Sequence, residues 1–426
     1  EKLELLLTYA IARRDLKPIA KELLKKFGSI SAVMNAPEKR LTEVPGVGEN
    51  VALLIQLMKG LCSDYLYEQI KGREVLSSTE EVIRYARMKL AGLENEVFMV
   101  IYLNTQNEII GDENPGSEIR GLYLVNEGNM GSNKCTIDYY DYYTGLYSRN
   151  FYSEKNPNVI KELGDVGNDI GIYGSKLYVV VNCSHKVEVM DAHTGIRIGQ
   201  VDIPTCRYVR FYRGKAYVSS YVGPVLIDPN APKGAVYEVD TLSLAVTRKV
   251  SVGYQPEEME IVDDYMYVAN SGGYRAPNYD NTVSVIQMVD LKQVQQIPVD
   301  INLHRVKKDQ YKQLWVSSRG DYQTRPSRLY VLSKKPGYNQ MEVSDMIPVA
   351  CSNMAVHGDS LYYYATEWNN YTASNTISYG IIDIRTHKVV STNFITDGTE
   401  REITIPYGIA VHPETGDIFV TDAKNY

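Results

Sequence analysis

The chain is short of the residues that usually announce chemistry. Five cysteines in 426 residues, none in a CxxC pair, fit neither a dense disulfide framework nor a zinc ribbon, and their odd number leaves at least one thiol unpaired. There are only six histidines, two tryptophans and six phenylalanines. No run approaches the ~18 consecutive apolar residues that a membrane-crossing helix needs. There is no GxSxG elbow, no HExxH pair, no GxGxxG turn and no phosphate loop. Residues 1–7 form an acidic-apolar start without Met, unlike a secretory leader, and predict a chain cut at its front. What is abundant is tyrosine, 35 residues, within an ordinary apolar fraction of 44% and a net charge of -7.

These features are unevenly spread. Residues 1–110 hold 15 basic and 15 acidic side chains, no histidine and one cysteine, so the whole negative charge and all the histidines belong to the remainder. The change in composition predicts separate domains, joined through the turn formers Gly111, Asp112, Glu113, Asn114, Pro115, Gly116 and Ser117.

Residues 1–75 read as helical. Leu3, Leu6 and Leu7, then Ile19, Leu23, Leu24 and Phe27, recur at helical spacing; Gly28 after Lys25 and Lys26 marks a stop, and Ser29 caps a second helix reaching Asn35. In LTEVPGVGENVALL, residues 41–54, a short helix meets Pro-Gly-Val-Gly and a new apolar helix begins, the spacing of a helix-hairpin-helix. Gly46, Val47 and Gly48 there are candidates for backbone contact with a phosphate. With few basic residues nearby, DNA binding by residues 1–75 is expected to be weak, non-specific and salt-sensitive. A tight turn between two packed helices accounts for the same residues without a ligand.

Residues 1–110 resemble the front of the RadC family, traditionally labelled bacterial DNA repair proteins, in VPGVGENVALL and in GREVLSSTEEVIRYARMKLAGLENEVFMVIYLNTQNEII. The resemblance implies that residues 76–110 open a JAB/MPN domain similar to zinc metalloisopeptidases, with Glu96 at its upstream acidic position. The HxH segment and following Ser and Asp that hold zinc in that family do not follow here. The segment is therefore expected to be a truncated, non-catalytic fragment without metal, with a cytoplasmic location implied by the family.

From residue 118 the pattern changes to short runs of Val, Ile, Tyr and Leu separated by Gly, Asn, Asp and Pro. The runs LYL at Leu122, LYV at Leu177, AYV at Ala216, MYV at Met266, LWV at Leu314, LYY at Leu361 and IFV at Ile418 recur at separations of 39 to 57 residues, near the ~40 to 50 of a propeller blade. Residues 118–426 thus predict an all-β, seven-bladed propeller whose last blade is truncated, preceded by the small helical domain. Neither WD dipeptides nor kelch glycines mark the repeats.

In such blades the loops after second strands and before first strands share one end of the channel. His193, His357, His387 and His412 fall in turns elsewhere, whereas His185 and His304 fall near that end. The candidate ligand residues there are Asn168, Arg207, Tyr221, Gln255, Tyr274, Tyr279, His304, Arg319, Tyr322, Trp368, Tyr371 and Tyr407. Aromatic faces take flat apolar area and amides pair with amides, so the set suits a large, amide-bearing or sugar-like ligand. Catalytic residues are not expected, since no paired carboxylates or nucleophile-base set recurs among these loops.

Residues 117–426 resemble the YncE-like propellers, in particular the surface-layer-type and BtuG-type lipoproteins that capture corrinoids at the bacterial surface for an outer-membrane transporter. The carrying segments are EIRGLYLVNEGNMGSN, GNDIGIYGSKLYVVVNCSHKVEVMDAHTG and PYGIAVHPETGDIFVTDAKNY. The resemblance implies a cell-surface protein that needs no cofactor, binds cobalamin as a ligand and hands it to a TonB-dependent transporter. Three other readings stay open: a protein or glycan interaction platform, a DNA-associated protein acting through the helix-hairpin-helix, and a propeller hydrolase or dehydrogenase.

Overall fold

The computed structural model describes residues 16–36, 38–70, 100–103, 109–113, 119–159, 162–335, 341–369 and 374–423, with residues 3, 82–83 and 85 besides. Two compact units meet between Ile119 and Arg120. The expected joint at 111–117 is corrected in part. Gly111, Asp112 and Glu113 are the end of strand β2 (Ile109–Glu113), which pairs antiparallel with β1 (Val100–Leu103).

In unit 1, α1 (Lys17–Phe27) has a proline in its first turn, Lys25 and Lys26 in its last, and Gly28 closing it through its amide to the Leu24 carbonyl at 2.8 Å. Ser29 Oγ accepts from the Ala32 amide at 3.1 Å, the expected cap of α2 (Ile30–Met34). The next two helices, α3 (Glu38–Thr42) and α4 (Glu49–Ile70), are joined by the turn holding Gly46 and Gly48. Leu23, Val33, Leu41, Val47, Ala52 and Ile55 form one buried core that packs the helices together. Gly46 has φ +92°, and a Cβ on it would lie 2.9 Å from Ile19 Cδ1, so glycine is required there by conformation and by packing.

Unit 2 is a β-propeller. Blade 1 has three strands: β3 (Gly121–Asn126), β4 (Thr136–Asp141) and β5 (Tyr147–Ser148). After a single-turn helix, α5 (Phe151–Lys155), blade 2 comprises β6 (Gly167–Tyr173), β7 (Lys176–Val181), β8 (Lys186–Asp191) and β9 (Arg197–Asp202). Blade 3 comprises β10 (Cys206–Tyr212), β11 (Lys215–Ser220), β12 (Lys233–Asp240) and β13 (Val246–Tyr254). Blade 4 follows with β14 (Pro256–Val262), β15 (Tyr265–Asn270), β16 (Thr282–Gln287) and β17 (Lys292–Pro298). Blade 5 has β18 (Leu303–Lys308), β19 (Leu314–Ser318), β20 (Arg328–Lys334) and β21 (Met341–Ile347). Blade 6 has β22 (Asn353–His357), β23 (Ser360–Asn369), β24 (Ser374–Asp383) and β25 (Lys388–Ser391). A terminal hairpin, β26 (Pro406–Val411) with β27 (Ile418–Asp422), completes the described strands.

All seven apolar runs lie in strands, yet among the described residues six of the sheets have three or more strands, so six blades replace the expected seven. The run at Ile418 counts a second strand but not a blade, because among the described residues β27 pairs with β26 alone. The runs were readable because second strands are sandwiched between neighbouring blades: β7, β11 and β15 are buried almost from end to end. Outer strands keep one face in water, and β9 and β17 alternate accordingly. The turns leading to those outer strands are held by an aspartate, since Asp141, Asp191 and Asp240 each accept the amides two and three residues on at 2.8 to 3.1 Å.

Neighbouring blades are tied near the axis by buried charge. Asp169 accepts the Val209 amide at 2.9 Å and the Arg210 guanidinium at 3.1 Å, and Glu258 accepts the Val306 amide at 3.0 Å. Beside blade 1, Tyr142 stacks on Phe419 of the terminal hairpin with centroids 6.2 Å apart.

Candidate functional site

The first strands of blades 2 to 5 and of the terminal hairpin break register near their starts: between Gly167 and Asp169, Cys206 and Val209, Pro256 and Met259, Leu303 and Val306, and Pro406 and Ile409. A bulge lets two consecutive residues leave strict alternation. The residues within these breaks, Asn168, Arg207 with Tyr208, Glu257 with Glu258, His304 with Arg305, and Tyr407, furnish the channel.

All of these except Glu257 and Glu258 line a cavity of about 900 Å³ built from five blades and the terminal hairpin. Six expected residues line it: Asn168, Arg207, His304, Arg319, Tyr322 and Tyr407. With them stand Glu127, Tyr208, Arg305, Arg325, Tyr364, Thr366 and Glu367. Tyr322 is 72% exposed at the mouth.

Four expected ligand residues are not part of the lining, a correction with a common cause in blades 3 and 4. Tyr221 is buried and donates its hydroxyl to Glu257 Oε1 at 2.6 Å. Gln255 is buried with φ +48°, its side-chain carbonyl accepting the Tyr274 amide at 2.7 Å. That bond fixes the loop carrying Tyr274 and Tyr279, and Tyr274 turns its ring edge to Tyr221, centroids 6.3 Å apart. The Trp368 side chain, Tyr371 and Glu96 lie outside the described residues. His185 accepts the Thr205 amide at its Nδ1, 2.9 Å away, and serves the loop.

The inner wall is built on charge. Arg207 approaches Glu257 Oε2 through Nη2 at 2.9 Å and Nε at 3.1 Å, and Arg319 Nη1 lies 3.5 Å from Glu257 Oε1. Burial by itself would raise the Glu257 carboxyl; Arg207 and Arg319 outweigh it and hold it below its usual range. Arg305 donates to the Tyr208 hydroxyl at 3.0 Å, and Tyr208 meets His304 Nε2 at 3.2 Å. Burial, with Arg319, Arg305 and Arg207 close by, pushes the His304 pKa well below its ordinary 6.5, so the ring is neutral. Behind the wall, burial of Glu258 is outweighed by Lys307 at 2.6 Å and Arg210 at 2.7 Å, which bring its carboxyl down to about 2.

Tyr208 and Arg305 escape a period-two reading because each shares a bulge with a neighbour that already faces the channel. Elsewhere in the lining Tyr364 donates to the Tyr407 carbonyl and Tyr407 to Glu127. All five cysteines are free thiols, and burial raises Cys135, Cys206 and Cys351 to about 12. Among the described residues no group of three His, Cys, Asp or Glu side chains is placed to hold a metal, and no helix is long and apolar enough to cross a membrane.

In unit 1, Val47 is buried and its amide donates to the Val44 carbonyl at 3.0 Å, which removes it as a phosphate contact. Gly46 and Gly48 remain exposed.

Comparison with known proteins agrees with this division. Residues 76–117 match the RadC-like JAB domain, where residues 76–110 were expected to open one. Residues 120–426 match the family described as "Domain of unknown function (DUF5074)". Among solved structures, a hypothetical selenium-binding protein from Sulfolobus tokodaii aligns over 72% of this chain and 83% of its own, at 12% identity and a TM-score of 0.54, a likeness of fold. Hydrazine synthase of Kuenenia stuttgartiensis aligns over 60% of this chain and 73% of its own, at 17% identity and a TM-score of 0.48. The periplasmic gluconolactonase of Pseudomonas aeruginosa aligns over 71% and 89%, at 11% identity and a TM-score of 0.48. The chain belongs to the DUF5074 family, through its propeller.

Proposed function

We propose that this DUF5074 propeller captures a polar organic ligand at the mouth of its channel and releases it unchanged, and that corrinoids are the ligand class. The observation that carries the reading is the cavity of about 900 Å³, in which guanidinium, amide and tyrosine groups from five blades and the terminal hairpin converge. That volume is at the upper end of ligand pockets, ~300 to 1,000 Å³. A corrinoid, broad and fringed with amides, would seat one edge among Asn168, Arg207 and Arg319 and lay the rest against Tyr322 and Tyr407. The YncE-like and BtuG-type resemblance supports the same ligand. With it goes a surface location and transfer to a TonB-dependent transporter. Titration of the intact chain with cyanocobalamin, followed by calorimetry and by the corrin absorption bands, tests the reading: saturable one-to-one binding is expected, and no heat and no spectral change reject it.

Unit 1 supports a separate, weaker activity. The exposed turn at Gly46 and Gly48, opening onto α4, suits non-specific contact with a DNA backbone as in a helix-hairpin-helix. Retention of DNA at low salt, lost at moderate salt, is the expected result, and no retention at low salt rejects it.

A further inference from the structure

The inner wall of the cavity carries more positive charge than it neutralises. Arg207 and Arg319 share one carboxylate, Glu257, whose Oε1 is also taken by the Tyr221 hydroxyl. Arg305 has no carboxylate at ion-pair distance among the described residues, although Glu258 and Asp169 act on it from further off: it donates to Tyr208, and its Nε is buried without an acceptor. The guanidinium carbons of Arg207 and Arg305 lie 5.8 and 5.5 Å from the centre of the Tyr208 ring, so the two cations flank one aromatic side chain. His304 beside them is neutral and shares a hydrogen bond with the Tyr208 hydroxyl, and neither group offsets the charge. Arg207 and Arg319 thus share one saturated carboxylate, and Arg305 has none at ion-pair distance among the described residues. A second unsatisfied group, Thr366 Oγ1, sits in the same cavity wall.

Buried cations are tolerated when an anion meets them, and guanidiniums meet oxyanions through paired N–H donors. We infer that the inner end of this cavity is an oxyanion subsite in which Arg305, with Arg207 and Arg319, receives a phosphate or carboxylate group of the ligand. Glu127 and Glu367 also line the cavity, and Glu127 already accepts from Tyr407. The inference rests on the reading that this cavity is the ligand site. Phosphodiester-bearing corrinoids and simple organic acids share the required group.

The probes are inorganic phosphate and acetate, titrated into the intact chain by calorimetry at constant ionic strength maintained with chloride. Saturable binding of at least one is expected, with the affinity falling at least about tenfold in Arg305→Gln, in part retained by Arg305→Lys and unchanged in His412→Ala. Preference for phosphate over acetate assigns a phosphoryl source, and the reverse a carboxylate. Should Arg305→Gln fail to fold by circular dichroism, Arg319→Gln, whose side chain is more exposed than that of Arg207, serves in its place with the same expectation. No saturable binding of either anion, or equal affinity in wild type and variant, overturns the subsite. Cyanocobalamin binding that phosphate does not compete and Arg305→Gln does not weaken also overturns it while leaving the corrinoid reading intact. Anion binding without cyanocobalamin binding does the converse.

Discussion

Both Nη2 and Nε of Arg207 converge on a single oxygen of Glu257, at 2.9 and 3.1 Å, while the other oxygen takes the Tyr221 hydroxyl at 2.6 Å. The pair bridges blades 3 and 4 with side chains only 14% and 1% exposed. Removing the carboxylate leaves a buried guanidinium without its counter-charge. Glu257→Gln is therefore expected to destabilise the propeller by about 3 to 5 kcal/mol. Urea denaturation measures this, and a loss below about 1 kcal/mol contradicts the role assigned to the pair.

His304 makes stability depend on pH in the range where histidine normally titrates. Its folded pKa is lowered well below 6.5 by burial and by Arg319, Arg305 and Arg207. Below about 6.5 the unfolded chain binds a proton there that the folded chain refuses, so stability falls as pH falls, by up to about 1.4 kcal/mol per pH unit. Unfolding free energies of wild type and His304→Gln between pH 7.5 and 5.5 are expected to differ in slope in this sense. Parallel curves would show that the ring does not stay neutral.

A second window lies lower. The Glu258 carboxyl is brought from an ordinary 4.5 to about 2 by Lys307 and Arg210 against its own burial. A depressed carboxyl contributes stability that is complete above about 4.5 and is lost as pH falls through about 2, roughly 3 kcal/mol in all. Acid unfolding followed by near-ultraviolet circular dichroism should show this loss, and Glu258→Gln should remove that part of the acid slope.

Tyr322 is the most exposed aromatic ring of the cavity. On the corrinoid reading Tyr322→Ala is expected to weaken cyanocobalamin binding by about tenfold, the ~1 to 2 kcal/mol of a contact ring, with folding unchanged. His412 accepts the Glu414 and Thr415 amides at 3.2 and 3.1 Å in a turn of the terminal hairpin, and His412→Ala should leave affinity as it is. Equal losses in both variants would place the ligand elsewhere.

The two glycines of the unit 1 turn should behave differently. Gly46→Ala meets both a positive φ and Ile19, and is expected to destabilise unit 1 by about 1 to 3 kcal/mol. At Gly48 a Cβ meets nothing within 4 Å, so Gly48→Ala should change stability by less than about 0.5 kcal/mol. Thermal unfolding of the two variants separates them, and DNA retention by Gly48→Ala reports on phosphate contact without a folding defect.

Sequence by itself determined the repeat. Second strands are covered on both faces by adjoining blades, so Leu177, Ala216, Met266, Leu314 and Leu361 stand in apolar runs whose spacing is legible without coordinates. It also determined the end of the channel at which polar loops gather, and with it Asn168, Arg207, His304, Arg319, Tyr322 and Tyr407. Tertiary structure decided how many of the repeats become blades, because a strand run is local and a sheet is not: β27 carries the pattern of a second strand but among the described residues pairs only with β26. It decided the inner wall as well. Bulges at the starts of the inner strands bring Tyr208 and Arg305 to the cavity beside Arg207 and His304, where strict alternation would have turned one of each pair away. And it took Tyr274 and Tyr279 out of the lining, since the hydrogen bond from the Tyr274 amide to Gln255 crosses 19 residues and its consequence for the loop exists only once blade 4 has closed.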